Sequence, residues 1–194
     1  VADKFDVHKS GSRLIKKFNL GVGRDRFLAN LIFPYLENRD KVLDIGCGLG
    51  RITKMIKDKG CKTTPLDIRD LSIVEDISPL IYNGKKIPFA DKSFDVSLIV
   101  TVLHHTPNPE AILKEAKRVS KKIVVIEDIY ENKLQKYFTF LNDSVLNLEF
   151  SGHPHSNMND LEWKKTFKKL NLKLVNAKYS KRQLVLHGVY FLTT

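Results

Sequence analysis

The segment Val42-Leu43-Asp44-Ile45-Gly46-Cys47-Gly48-Leu49-Gly50 constrains this chain more than any other. A short apolar run containing one acid leads straight into glycines at alternating positions. The run Arg51–Lys59 then reads as a helix that stops at Gly60. Glycine bends the backbone sharply and lets it approach a ligand with no Cβ in the way. Strand, glycine turn and helix form the half-unit that holds nucleotide-like ligands at the carboxyl end of a parallel strand.

The spacing narrows the ligand. Gly46, Gly48 and Gly50 give G-x-G-x-G, whereas dinucleotide binders carry G-x-G-x-x-G, and no Gly-Lys-Ser/Thr follows for a triphosphate. Asp44 is suited to an ammonium group and poorly suited to a pyrophosphate. Asp67 ends the next apolar segment, 21 residues beyond Gly46, where a carboxylate accepts from both ribose hydroxyls of an adenosine. The same Asp could serve as a helix N-cap. Ile68 stands where an apolar side chain covers one adenine face.

The remaining periodicities predict one α/β domain, a doubly wound Rossmann-like sheet. It is mostly parallel, with about seven strands, the last one antiparallel, and helices on both faces. Strands are expected at Lys41–Ile45, Cys61–Asp67 (made less regular by Pro65), 80–82, Phe94–Val102, Lys122–Ile126, Leu172–Tyr179 and Leu184–Leu192. Helices are expected at Arg24–Glu37, Arg51–Lys59, Pro109–Val119 and Asp160–Leu170, with weak helix over 69–78. This divides the chain into an N-terminal helical lid (1–39), a cofactor core (40–128), an aromatic-rich insertion (129–157) and a final helix and hairpin (158–194). An insertion of that length between strand and helix is expected to line an acceptor pocket. Trp163 and Phe167, one turn apart, read as core.

The chain of 194 residues carries a formal charge of +11, spread along its length without a block of five like charges, as on a lysine-rich solvated surface. A basic field also suits nucleic acid, which keeps RNA open as a partner. No apolar run is long enough to cross a bilayer, so no membrane partner is expected. Cys47 and Cys61 fit neither a disulfide framework nor a metal-ligand spacing. A cytoplasmic setting with no metal is the expectation.

Taken together, Val42–Gly50, Asp67 and Ile87-Pro88-Phe89-Ala90-Asp91-Lys92-Ser93-Phe94-Asp95 resemble class I S-adenosylmethionine-dependent methyltransferases. The group that includes ubiquinone- and menaquinone-biosynthesis enzymes is the most similar. Val102-Leu103-His104-His105 and Leu113–Val119 fit that group's downstream pattern. The resemblance implies S-adenosyl-L-methionine as cofactor, with S-adenosyl-L-homocysteine as product. It implies that Asp44, Gly46 and Gly48 hold the methionine end, Asp67 the ribose and Ile68 the adenine face. Asn83, beside Gly84, stands where the group usually has Asp reading the adenine amino group, and an Asn carbonyl can still accept there. Thr101 to His105 would border the sulfonium and the acceptor, and Cys47 would be structural.

The expected activity is in-line methyl transfer to a small acceptor, aromatic or anionic. His104 and His105 are the candidates for a base or for acceptor positioning, with Asp128, His153 and His155 behind them. Two alternatives stand beside it. The first is RNA methylation, against which the motif for base amino groups is absent after the fourth strand. The second is a non-catalytic cofactor-binding module, which Asn83 in place of Asp keeps open.

Overall fold

Strands buried on both faces need apolar side chains at successive positions, and the centre of this chain supplies them. A computed structural model describes residues 21–130 and 158–194. Its strands are β1 (Lys41–Ile45), β2 (Lys62–Asp67), β3 (Leu80–Ile81), β4 (Phe94–Val100), β5 (Ser120–Ile129), β6 (Lys173–Arg182) and β7 (Val185–Thr193). They form one sheet in the order β3-β2-β1-β4-β5-β7-β6. β7 is antiparallel to both of its neighbours, and the other pairs are parallel.

Among the described residues four helices cover the sheet: α1 (Val22–Ile32, continued by a 3-10 turn at Phe33–Tyr35), α2 (Arg51–Asp58), α3 (Pro109–Val119) and α4 (Asp160–Lys169). Alternation along β5 shows the two layers. Ile123 and Val125 pack with α3 residues Ile112, Leu113 and Ala116 and with α4 residues Trp163 and Phe167. Val124 and Ile126 pack with Leu28 and Ile32 of α1 and Ile56 of α2. Helices thus lie on both faces, and Trp163 and Phe167 are core, stacked at 6.0 Å.

Two local expectations differ from the structure. Residues 69–78 are not helical. There the Asp70 carboxylate accepts from the Ser72 N–H and the Ser72 hydroxyl accepts from the Val74 N–H, turns that compete with a helix. Pro65 leaves β2 unbroken. Leu66 faces β1, its carbonyl accepting from the Gly46 N–H, so residue 65 faces outward before β3 begins opposite Leu66.

The Ile87–Asp95 segment, on which much of the family resemblance rests, is a scaffold stapled to α3. The Arg118 guanidinium donates to the carbonyls of Ile87 and Phe89, each at 2.8 Å, and to the Asp91 and Glu115 carboxylates. Glu115 accepts the Ile87 N–H at 2.8 Å. Asp95 accepts from the Lys41 N–H and from Lys121. Arg118→Ala should cost about 2 kcal/mol, since hydrogen bonds to a charged group are the strong ones. The midpoint in a thermal melt should fall by about 4–8 °C; an unchanged melt would mean that the staple is redundant.

Candidate functional site

The crossovers leave β1 and β4 in opposite directions, so a crevice opens between their carboxyl ends, the place where open α/β sheets take ligands. The glycine turn follows β1 and the Thr101–His105 loop follows β4. The two touch: a Cβ on Gly46 (φ +75°) would lie 2.5 and 2.9 Å from the methyl groups of Val102. Gly48 (φ +51°) is different, because a Cβ there would meet nothing within 4 Å. One glycine is needed for packing, and the other leaves open space above the turn.

Asp44 is buried at the end of β1 and accepts a hydrogen bond from the Thr53 hydroxyl at 2.5 Å. Burial pushes its carboxyl up to about 6, partly offset by that hydrogen bond and reinforced by the charge of Asp67. Among the described residues no cation pairs with it. A buried carboxylate held this way is a standing invitation to a positively charged ligand group.

Asp67 ends β2, its Oδ2 accepting from the Gly48 N–H at 2.9 Å and its Oδ1 from the Ile68 N–H at 2.7 Å. The second acid therefore braces the glycine turn directly. Ile68 is 53% exposed, and its Cγ2 would lie 3.3 Å from a Cβ on Gly84. Burial and the charges of Asp44 and Asp67 push the Cys47 thiol upward, so it is inert, as expected of a structural cysteine.

Other expected site residues are occupied differently. The Asn83 carbonyl oxygen accepts from the Lys85 and Lys86 N–H groups at 3.0 and 3.3 Å, forming a local turn. Those bonds use both lone pairs otherwise offered to an adenine amino group, leaving the amide N–H₂ as the free end. Asp128 is buried against His187, with Oδ1 at 2.7 Å from Nδ1. Burial alone would raise its carboxyl, but the hydrogen bond and charge of His187 and the charge of Arg24 hold it below the usual range. It is an anion with a partner rather than a base poised to take a proton. His104 is buried beside Glu127, and His105 is half-buried with its ring centroid 4.1 Å from that of His104. His153 and His155 lie outside the described residues, as does the insertion from residue 131 on.

Several contributors were not foreseen. Thr53 is in the first turn of α2, where only the fold brings it to Asp44. Arg24 of α1 donates to the Thr101 hydroxyl at 3.3 Å, and Thr101 has φ +53°. Asp25 and Arg51, paired at 3.3 Å, join the start of α1 to the start of α2 beside the turn. Glu127 is the least foreseeable, a fully buried acid near the carboxyl end of β5, directly after its apolar run Ile123–Ile126.

A mostly parallel sheet closed by an antiparallel β7, with an acid–glycine turn at its switch point, is the fold of the class I methyltransferases that the sequence resembles. Residues 43–125 match the family model described as a methyltransferase domain. A demethylmenaquinone methyltransferase of Tropheryma whipplei is 36% identical over 148 residues, 62% of each chain. An uncharacterised protein of Methanocaldococcus jannaschii is 34% identical over 105 residues, 48% of this chain and 51% of that protein. The chain therefore spans less than two thirds of the length of either relative. In structure, it resembles a SAM-dependent methyltransferase of Methanosarcina mazei with a TM-score of 0.67 over 84% of this chain and 96% of that one. At 20% identity that likeness is one of fold. Among the described residues no helix is long and apolar enough to cross a membrane, and no three His, Cys, Asp or Glu side chains could hold a metal ion.

Proposed function

We propose that this protein binds S-adenosylmethionine at the glycine turn and transfers its methyl group to a small-molecule acceptor. The observation that carries the reading is Asp44, a buried carboxylate with no paired cation among the described residues, beside an open glycine turn. Asp44 would hold the cofactor's ammonium group, and Gly48 would let the backbone approach it. Asp67, whose Oδ1 accepts from the Ile68 and Arg69 N–H groups, would take a ribose hydroxyl with the lone pair that Gly48 leaves free on Oδ2, and Ile68 would cover the adenine. Bound, the cofactor supplies a methyl group already electrophilic on its sulfonium, so the chain's own task is orientation and exclusion of water. Thr101 to His105, carried by the loop after β4, would border the acceptor, with His104 and His105 positioning it. The insertion and the N-terminal segment would complete the acceptor pocket. The quinone-biosynthesis relative is what favours a small acceptor over RNA.

Titration calorimetry with S-adenosylhomocysteine tests the cofactor assignment. Asp67→Ala should weaken binding by roughly 10- to 100-fold, the loss of one charge-assisted hydrogen bond. Unchanged affinity would remove Asp67 from the ribose site. Release of S-adenosylhomocysteine with a panel of phenolic, quinol and carboxylate metabolites, and none with bulk RNA, is the expected activity. Turnover on RNA alone would replace the acceptor class, and binding without any turnover would favour a cofactor-binding module.

A further inference from the structure

The loop after β4 is held by a side chain from the neighbouring strand. Glu127 of β5 is fully buried. Its Oε1 accepts the N–H groups of Val102 at 3.0 Å and Leu103 at 2.7 Å, and its Oε2 lies 2.5 Å from Nδ1 of His104. Val125 and Ile129, on the same face of β5, belong to the buried apolar layer that packs with α3 and α4. A charge buried in such a place costs several kcal/mol before its partners are counted. Three donors converge on it.

Those donors fix the protonation pattern. A carboxylate is an acceptor only, and Oε1 spends both of its lone pairs on backbone N–H groups, so Oε2 is the oxygen that faces Nδ1. Nδ1 of His104 therefore donates, and the lone pair of the neutral ring resides on Nε2. The same two backbone bonds fix Val102, whose methyl groups press on Gly46. One carboxylate thus ties the acceptor-side loop to the cofactor-side turn.

We propose that Glu127 is a positioning residue. It holds His104 as the Nδ1–H tautomer, with Nε2 as the basic nitrogen, and it locks the Val102 loop against the glycine turn. Only the effect on ligand binding rests on the methyl-transfer reading.

The tautomer is read by nitrogen-15 NMR of the histidine-labelled protein at mildly alkaline pH, with His104→Asn identifying the signal. The wild-type ring should show a protonated Nδ1 and a bare Nε2. Glu127→Gln keeps an oxygen for both backbone N–H groups but sets an amide N–H opposite Nδ1, so the ring should switch to the Nε2–H form. A wild-type Nε2–H ring, or a ring that ignores Glu127→Gln, would overturn the assignment. The lock is read separately by calorimetry with S-adenosylhomocysteine. Glu127→Gln should bind within about threefold of wild type, and Glu127→Ala about tenfold or more weakly, because only the latter frees the loop. Equal affinities in the two variants would overturn the lock, and if Glu127→Ala does not fold, the tautomer measurement still decides. A wild-type protein that fails to bind would count against the cofactor reading alone.

Discussion

Asp44→Asn should make the free protein more stable and, at the same time, unable to hold its cofactor. In the fold this carboxyl titrates near 6 against 3.8 for the free side chain, with burial as the largest cause. A raised acid contributes stability that is complete below pH about 3.8 and is lost as the pH climbs through about 6. At pH 7 the penalty is at most about 3 kcal/mol. Asn removes the charge and keeps an oxygen for the Thr53 hydroxyl. Its melting temperature at pH 7 should therefore exceed that of wild type, with the advantage vanishing below pH 4.

The same substitution removes the partner proposed for the ligand ammonium. Truncating one side of a buried charged pair costs about 2–5 kcal/mol, so S-adenosylhomocysteine should bind roughly 100-fold or more weakly. Wild-type affinity should rise as the pH climbs through 6, with proton release on binding below that value. Binding that is flat between pH 5 and 7 would show that Asp44 does not face the ligand's charge.

The second large effect separates two glycines two residues apart. Gly46→Ala places a Cβ at φ +75° and within 2.5 Å of Val102. Left-handed strain and overpacking together should cost about 2–4 kcal/mol, a fall of about 4–16 °C in the melt. Gly48→Ala at φ +51° meets nothing, so its cost should be only the strain, about 1–2 kcal/mol. Its affinity for S-adenosylhomocysteine should nonetheless fall at least about tenfold, because the new methyl group occupies the space left for the ligand. If Gly48→Ala binds normally, the open space above the turn is not the cofactor site.

What was readable from residues alone was local in the chain. β1, the turn and α2 are consecutive, and apolar run, glycines and helical periodicity each leave their mark within a few residues. Pro109–Val119 agrees with α3 at both ends, because Pro109 starts it and Asn108 caps it by accepting the Ala111 N–H. Asp67 was legible because strand length and the βαβ unit fix its distance from Gly46. Residues 69–78 were misread as helix because their apolar spacing carries little information beside the Asp70 and Ser72 turns. The expectation for Asn83 rests on position alone, and the turn in which its carbonyl oxygen accepts from the Lys85 and Lys86 N–H groups leaves no mark in the sequence.

By itself the sequence determined the order of the strands, the doubly wound class and the two acids flanking a glycine turn, since each depends on neighbouring residues and fixed periods. Tertiary structure decided what those groups experience. Thr53 reaches Asp44, Glu127 clamps a loop 23 or more residues before it, and Arg118 staples the Ile87–Asp91 backbone only because folding brings distant segments within 3 Å. Titration and hydrogen-bond geometry are properties of that assembled surrounding. The turn was visible in the chain, but the burial that raises the Asp44 carboxyl beside it exists only in the fold.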